Sequence, residues 1–380
     1  MDNSITTEMI WVDTPGALAK MLRNLEACNF LAVDTESNSL FAYQEQVCLI
    51  QFSTGREDYL VDPLALDDLS SLGSIFSSPI IEKIFHAAEY DIICLRRDFG
   101  FSFENIFDTM LAGRILKYPQ IGLAAMLESE FNLTLDKRFQ RANWGERPLS
   151  EEQKAYARLD THYLIDLRQR LNEQLVEKNL SELAREDFVR MTKVHANYVE
   201  NGLAHFWRLA LKEELDYQQL AVLYELYQYR ERVARAKNKP VFKVLGDKVL
   251  LEIARKTPRN RDMLEHVPGM NRRMVGMHGS EILIAVEKGM NRKPPPRPCR
   301  LRPNERYLNL HEALQVWRRE RARELGIESD IVLPRDVMEL IAKEEPSSLT
   351  QLEKIMQDLP WRFNHYGKEI LEIIQQEDLS

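Results

Sequence analysis

Two apolar periods divide the chain. A helical spacing appears first: Thr14-Pro15 offers an N-cap followed by proline at the first helical position, and Ala17, Leu18, Met21, Leu22 and Leu25 then form one stripe. Strand-like segments follow. Phe30-Leu31-Ala32-Val33-Asp34-Thr35-Glu36 is an apolar, β-rich run ending in acids. Gln46–Ser53 and Asp58–Asp62 read as two more strands, joined by a turn at Thr54-Gly55-Arg56 and stopped by Pro63. Ile80–His86 reads as a buried strand, and Asp91–Arg97 as a helix that stops near Gly100. After Asn105–Phe107 the spacing is mainly helical to about residue 200. Strands alternating with and then giving way to helices predict an α/β domain with a mixed sheet.

From about residue 210 the pattern is helical throughout, and it repeats. Arg230, Ala234 and Arg235 recur as Arg318, Ala322 and Arg323. Val244-Leu245 recurs as Val332-Leu333, and Ile253-Ala254 with Pro258 as Ile341-Ala342 with Pro346. Leu264 recurs as Leu352, and Gly279, Glu281, Ile282 and Leu283 as Gly367, Glu369, Ile370 and Leu371. A constant offset of 88 residues without gaps predicts a duplicated helical domain, too long per copy for a solenoid repeat. The predicted division is 1–205, 212–291 and 304–380, with the proline- and arginine-rich 292–303 as a semi-rigid spacer.

Composition is that of an ordinary globular protein, and the 380 residues suffice for two to three domains. The net charge of −8 argues at first against nucleic acid, but it is unevenly spread. Residues 212–291 carry 15 Lys or Arg against 11 Asp or Glu, and the spacer adds Arg292, Lys293, Arg297, Arg300 and Arg302 with no acid. That basic stretch suits sequence-independent phosphate contact. Cys28, Cys48, Cys94 and Cys299 form no Cys-x-x-Cys pair, so a zinc site or disulfide framework is not expected, and the first three sit in core-like surroundings. Residues Met1 to Glu8 lack a basic region followed by an apolar one, and no run of about 18 apolar residues exists. A cytoplasmic protein is expected. No Gly-x-x-x-x-Gly-Lys-Ser/Thr loop supports ATPase chemistry.

The candidate chemistry lies in the acids. On a strand, Asp34 and Glu36 share a face. On a helix, Tyr156 and Asp160 share a face. Asp91 follows the strand-to-helix passage Ile84-Phe85-His86-Ala87-Ala88-Glu89-Tyr90. Clustered carboxylates repel unless cations neutralise them, and oxygen-only donors select Mg²⁺ or Mn²⁺. Two such ions suit in-line phosphoryl displacement. A tyrosine hydroxyl can orient water without adding charge. Each motif alone is most often a solvated surface pair; their order, settings and spacing make the case together. Asp108, after an apolar run and before a helix, reads as an N-cap.

This constellation resembles the DEDD exonuclease superfamily in its tyrosine-bearing branch, and most closely the ribonuclease D family. Asp34-Thr35-Glu36, His86 to Asp91 and Tyr156 to Asp160 look like its three motifs, with Phe107–Ala112 and Trp144–Leu149 resembling signatures between them. Both repeats resemble the HRDC module through Tyr229-Arg230-Glu231 and Trp317-Arg318-Arg319; Lys239-Pro240-Val241-Phe242 matches its usual loop, whereas Glu328-Ser329-Asp330-Ile331 departs from it. The resemblance implies a ribonuclease-H-like exonuclease domain followed by two HRDC-like domains. It implies a 3′→5′ exoribonuclease using two divalent ions, Mg²⁺ or Mn²⁺, on RNA 3′ ends such as transfer-RNA precursors. A monomer is expected because three self-contained domains need no partner to bury a core. The resemblance assigns Asp34, Glu36, Asp91 and Asp160 to the metals and Tyr156 to the attacking water. Thr35, Leu40 and His86 fall at substrate positions, with ordinary packing the equal alternative for Leu40 and His86. A DNA exonuclease, or an inactive nucleic-acid-binding scaffold, would share much of this pattern.

Overall fold

The computed structural model describes residues 7–195, 202–211, 214–298 and 304–377. The expectations resting on the first residues of the chain and on Lys212, Cys299, Arg300 and Arg302 lie outside them. Two compact units emerge. One holds residues 1–37, 47–196 and 302–380, and the other 38–46 and 197–301.

The first unit is built on a six-stranded mixed sheet of β1 (Glu8–Val12), β2 (Phe30–Ser37), β3 (Val47–Ser53), β4 (Glu57–Val61), β5 (Glu82–Phe85) and β6 (Ile106–Asp108), in the order β1-β4-β3-β2-β5-β6. β2 is antiparallel to β3 and parallel to β5. The sequence pattern finds the four central strands, with the β5 strand shorter than its apolar run. It misses both edges: β1 rests on Met9-Ile10-Trp11-Val12, and β6 has only three residues.

Side-chain alternation sends the strands' two faces into different cores. Leu31, Val33, Ile50, Phe52, Tyr59 and Val61 pack with α1 (Pro15–Glu26), with the helical turn α2 (Gly73–Phe76) and with α3 (Glu89–Phe99). Thr14 caps α1 as its sequence predicts, accepting from the Ala17 amide at 3.3 Å, and Gly100 ends α3 in the left-handed region at φ 72°. On the other face lie α4 (Thr109–Ile115), α5 (Leu123–Phe131), α6 (Glu151–His162), α7 (Leu164–Glu177) and α8 (Ser181–Met191). Ala32, Ile84 and Phe107 pack there against Leu164, Leu167 and Leu171, while Leu49 and Leu60 meet Trp144 and Ala157. Cys48 and Cys94 are buried and Cys28 half-buried, all three as thiols.

The duplication is visible helix by helix. Val241–Val244, Asp247–Lys256 and Arg272–Met290 of the first copy start 88 residues before Ser329–Val332, Arg335–Glu344 and Pro360–Glu377 of the second. Arg230 and Arg318 are buried alike, donating to the Leu245 and Leu333 carbonyls at 3.1 and 3.0 Å. Thr257 and Glu345 end equivalent helices with φ of 41° and 46°. In the second unit the first copy forms its own core around Leu223, Leu226, Leu250, Ile253 and Ile282, against which Tyr43 packs.

The second copy belongs to the first unit and is bonded to the sheet domain. Arg362, fully buried, donates to Glu186 at 2.8 Å, to Asp187 at 2.9 Å and to the Ile331 carbonyl. Arg114 pairs with Glu328 and Asp330, Arg190 with Asp336 and Lys193 with Asp358. Arg362→Met leaves the buried Glu186 without its counter-charge. Breaking such a pair from one side costs about 3–5 kcal/mol, and the expected readout is a lower urea midpoint for the sheet domain. An unchanged midpoint contradicts the pairing.

Candidate active site

Asp34 and Glu36 stand two apart near the end of β2, so both project from the face covered by α6. They are half-buried. Ser150 opens α6 with a reciprocal capping box to Gln153. The helix packs Ala157 and Thr161, both buried, against the sheet. That seating turns Tyr156 and Asp160 along one flank. Carboxylate oxygens of Asp34, Glu36 and Asp160 come within 4.8 Å of one another. Among the described residues they form the one set of three acidic, histidine or cysteine side chains so gathered.

Asp91 joins from the first turn of α3, 7% exposed. Thr35 points from β2 to the face opposite its two acidic neighbours and donates its hydroxyl to the Asp91 carboxylate. Thr35 is therefore a support for Asp91 in this structure. Asp91 stands outside the 4.8 Å set, yet its charge is the first neighbouring charge that raises Asp34.

Asp108 is an N-cap, and more. One oxygen accepts from Met110 and Leu111 at 2.8 and 3.0 Å, capping α4. The carboxylate also accepts from Ala87 and Ala88 at 3.2 and 2.8 Å, where the chain enters α3. One buried side chain thus fixes two helix starts, one of them carrying Asp91. The sequence shows the first role; the second joins residues some twenty apart and needs the sheet.

His86 lies half-buried after β5, with Nδ1 2.9 Å from the Thr109 hydroxyl. Burial pushes its imidazole down to about 4, so it is neutral at pH 7. It is not among the gathered ligands, and its contacts match a satisfied packing histidine. Leu40 is 41% exposed and lies in the 38–46 connection of the second unit. Gln51 was not foreseen. It is directly opposite Asp34 in the β2–β3 register, fully buried, and neither atom of its amide has a hydrogen-bond partner. Its signal in the sequence, a lone polar residue in Cys48-Leu49-Ile50-Gln51-Phe52, is readable once the register is known.

The electrostatics follow from crowding. Burial, then Asp91, Asp160 and Glu36, hold Asp34 well above the usual carboxylate range. Burial, then Asp160 and Asp91, push Glu36 up to about 9. Asp160 is raised to about 7 by burial and Asp91. Asp91 is also raised to about 7 by burial, with the Thr35 hydroxyl opposing the rise and Asp108 adding to it. Burial and the same acids raise the Tyr156 phenol, which stays protonated at neutral pH. Phe139 and Trp144 flank its ring at centroid distances of 6.0 and 6.1 Å. An all-oxygen set that resists ionisation on its own fits a hard divalent cation.

A mixed sheet with helices on both faces, a cluster of acids beside it and a helical duplication make up an exonuclease-like domain with appended helical modules. The family model described as 3′-5′ exonuclease matches residues 9–176, and the HRDC domain model matches residues 219–286 and 308–374. The exonuclease and HRDC matches, with RNase D and RRP6 among the relatives, support an RNase D/RRP6-like chain carrying a DEDD 3′-5′ exonuclease domain, a domain family that is divalent-metal dependent. The exosome complex exonuclease RRP6 of Saccharomyces cerevisiae is 34% identical over 264 residues, 66% of this chain and 36% of that protein. The exosome complex component 10 homolog of Caenorhabditis elegans is 33% identical over 258 residues, 67% of this chain and 30% of that protein. The chain spans about a third of the length of these curated relatives. The crystal structure of Escherichia coli RNase D, titled as an exoribonuclease involved in structured RNA processing, is similar at 25% identity and a TM-score of 0.68, covering 98% of this chain and 99% of that one. Among the described residues no helix is long and apolar enough to cross a membrane.

Each site carboxylate titrates above its unfolded value of about 4, so the folded, metal-free protein holds extra protons. The stability this gives is full below that value and is lost as pH rises through about 7 to 9. A bound cation needs these groups ionised and releases the protons. The melting temperature of metal-free protein is therefore expected to fall between about pH 6 and 9, and the gain on adding Mg²⁺ or Mn²⁺ to grow over the same range. A metal-induced gain independent of pH contradicts this account.

Proposed function

We propose that this protein is a 3′→5′ exoribonuclease that hydrolyses the last phosphodiester of an RNA and releases a 5′-mononucleotide. The observation that carries the reading is the convergence of Asp34, Glu36 and Asp160 within 4.8 Å, with Asp91 beside them and Tyr156 on the same flank of α6. Likeness over almost the whole of Escherichia coli RNase D, and relatives named as exosome exonucleases, support RNA over DNA.

In this reading Asp34, Glu36, Asp91 and Asp160 hold two divalent ions, Mg²⁺ or Mn²⁺. Bound there, such ions activate water and stabilise the leaving 3′ oxygen. By the resemblance, Asp34 would serve both ions, Glu36 and Asp160 would hold the one that activates water, and Asp91 would serve the other. The Tyr156 hydroxyl, kept protonated by burial and by the acids around it, orients the attacking water through hydrogen bonds and does not act as a base. Thr35 steadies Asp91. Leu40 and His86 remain substrate positions only by resemblance. The chain acts as a monomer in the cytoplasm on RNA 3′ ends, transfer-RNA precursors among them. Support for a monomer is that the sheet domain and both helical copies bury their apolar cores with side chains of this one chain.

We also assign nucleic-acid contact to the first helical copy. Its loop exposes Lys237, Lys239 and Phe242. At the matching positions the second copy has Leu325, Ile327 and Asp330, and there Ile327 packs inward and Asp330 pairs with Arg114.

Asp34→Asn or Asp160→Asn should leave the fold intact and stop hydrolysis of a 5′-labelled single-stranded RNA. Tyr156→Phe should slow it about 100-fold or more, a typical loss for a positioned group, with metal binding retained. A ladder shortening from the 3′ end, faster on RNA than on the matching DNA and absent with EDTA, is the expected result. Faster cleavage of DNA moves the activity to DNA; full activity in Asp160→Asn or without metal overturns the site.

Lys237→Ala combined with Lys239→Ala should weaken RNA binding. Its salt dependence should become shallower, by about 0.7 in the log–log slope for each phosphate no longer neutralised. Binding with unaltered affinity and slope removes the loop from the interface.

A further inference from the structure

Behind α6 lies a second acidic centre with different partners. Asp58, on β4, is 1% exposed and faces the same side of the sheet as Asp34. It accepts four hydrogen bonds: from Ser53 Oγ at 2.6 Å, Arg158 Nε at 2.6 Å, Thr7 Oγ1 at 2.7 Å and His162 Nδ1 at 2.9 Å. Arg158 also reaches the Thr7 carbonyl. Burial alone would raise Asp58, but these donors outweigh it and bring the carboxyl down to about 2. Unlike the acids of the cluster, it is therefore a fixed anion.

Its partners on α6 interleave with the site residues. The helix advances about 100° per residue. Relative to Tyr156, Asp160 is then turned by about 40°, the sheet-facing Ala157 and Thr161 by about 100° and 140°, and Arg158 and His162 by about 200° and 240°. One flank of α6 carries Tyr156 and Asp160, the keel rests on the sheet, and the other flank is bonded to Asp58. The keel consists of an alanine and a threonine, small side chains that allow close approach but resist rotation poorly. The far flank is where rotation of the helix about its axis is resisted. A side-chain tip lies about 5–6 Å from the axis. A roll of about 10° then moves the Asp160 carboxylate by about 1 Å, enough to matter for a site that works within about 0.5 Å.

We propose that Asp58 is a positioning residue for the nuclease reaction: through Arg158 and His162 it sets the roll of α6, and with it the places of the Asp160 carboxylate and the Tyr156 hydroxyl. The inference rests on the roles proposed above for Asp160 and Tyr156. It gives Asp58, Arg158 and His162 a part in metal affinity without any of them touching metal or RNA.

The test uses the full chain. Wild type, Asp58→Asn, Arg158→Met and Asp160→Asn are assayed on 5′-labelled RNA across a titration of Mg²⁺ and of Mn²⁺, well below each variant's melting temperature, with RNA affinity measured separately in Ca²⁺. Loss of outer-shell support costs about 10–100-fold in metal affinity or activity. In Asp58→Asn and Arg158→Met the half-saturating metal concentration is expected to rise about 10-fold, with RNA affinity within twofold of wild type. A purely structural role would lower the folded fraction, and so the amplitude, without moving that midpoint. Arg158→Met keeps the anion's other three donors and decides the matter if Asp58→Asn does not fold. Wild-type metal midpoints in folded Asp58→Asn and Arg158→Met, with Asp160→Asn inactive, overturn the positioning role alone. Wild-type activity in Asp160→Asn overturns the site and this inference with it.

Discussion

Mutual repulsion among carboxylates partly or wholly withdrawn from water is the constraint on which the rest of this structure turns. Asp34, Glu36, Asp91 and Asp160 are drawn from a strand and two helices that are far apart in sequence, and Glu36, Asp91 and Asp160 each raise the proton affinity of another member. No attraction among them holds the site together. It is held from outside, by interactions that can tolerate the strain of the metal-free state. Leu31 and Val33 anchor β2 from one face, Thr35 ties Asp91 to that strand, Asp108 fixes the start of α3, and Asp58 fixes α6. Every one of these supports reaches a ligand-bearing element without placing another charge within the ligand set.

Two buried acids illustrate how differently the fold treats a carboxylate. Asp108 is surrounded by four backbone amides, neutral dipoles of the kind found at helix N-termini. Asp58 has a guanidinium, an imidazole and two hydroxyls. The Asp58 donors outweigh burial and bring its carboxyl down to about 2, whereas burial still raises Asp108 against its four amides. The ligand acids have few such donors: Glu36 and Asp160 owe their shifts to burial and to other acids, with no donor of note. A deficit of donors around oxygen ligands is what makes a divalent cation the natural complement.

Much of this was legible from sequence because it depends on local period. The two-residue spacing of Asp34 and Glu36, the four-residue spacing of Tyr156 and Asp160, the Thr14 cap and the 88-residue repeat all survive into the structure. What was not legible depends on register or on distant pairing. β1 is a short edge strand whose hydrophobic run gains meaning only beside β4. Gln51 becomes notable only when paired opposite Asp34. The Asp58 partners Arg158 and His162 lie about a hundred residues away, and no local spacing in the sequence points to them.

The duplicated helical domain shows the same division between what period reveals and what pairing adds. Its repeat is plain, and so is the departure of Glu328-Ser329-Asp330-Ile331 from the first copy's Lys-Pro-Val-Phe loop. The structure supplies the reason. Glu328 and Asp330 pair with Arg114, Ile331 is buried against the sheet domain, and its carbonyl accepts from Arg362. Substitutions that look like drift in a comparison of the copies are the contacts that join the second copy to the nuclease fold. One loop carries lysines and an exposed phenylalanine, while the other carries acids and aliphatics that pack inward. A charge-bearing surface and a packing surface place opposite demands on the same positions, because an unpaired lysine in the buried loop would cost several kcal/mol of desolvation. One copy could not have met both demands, and two copies of one fold can.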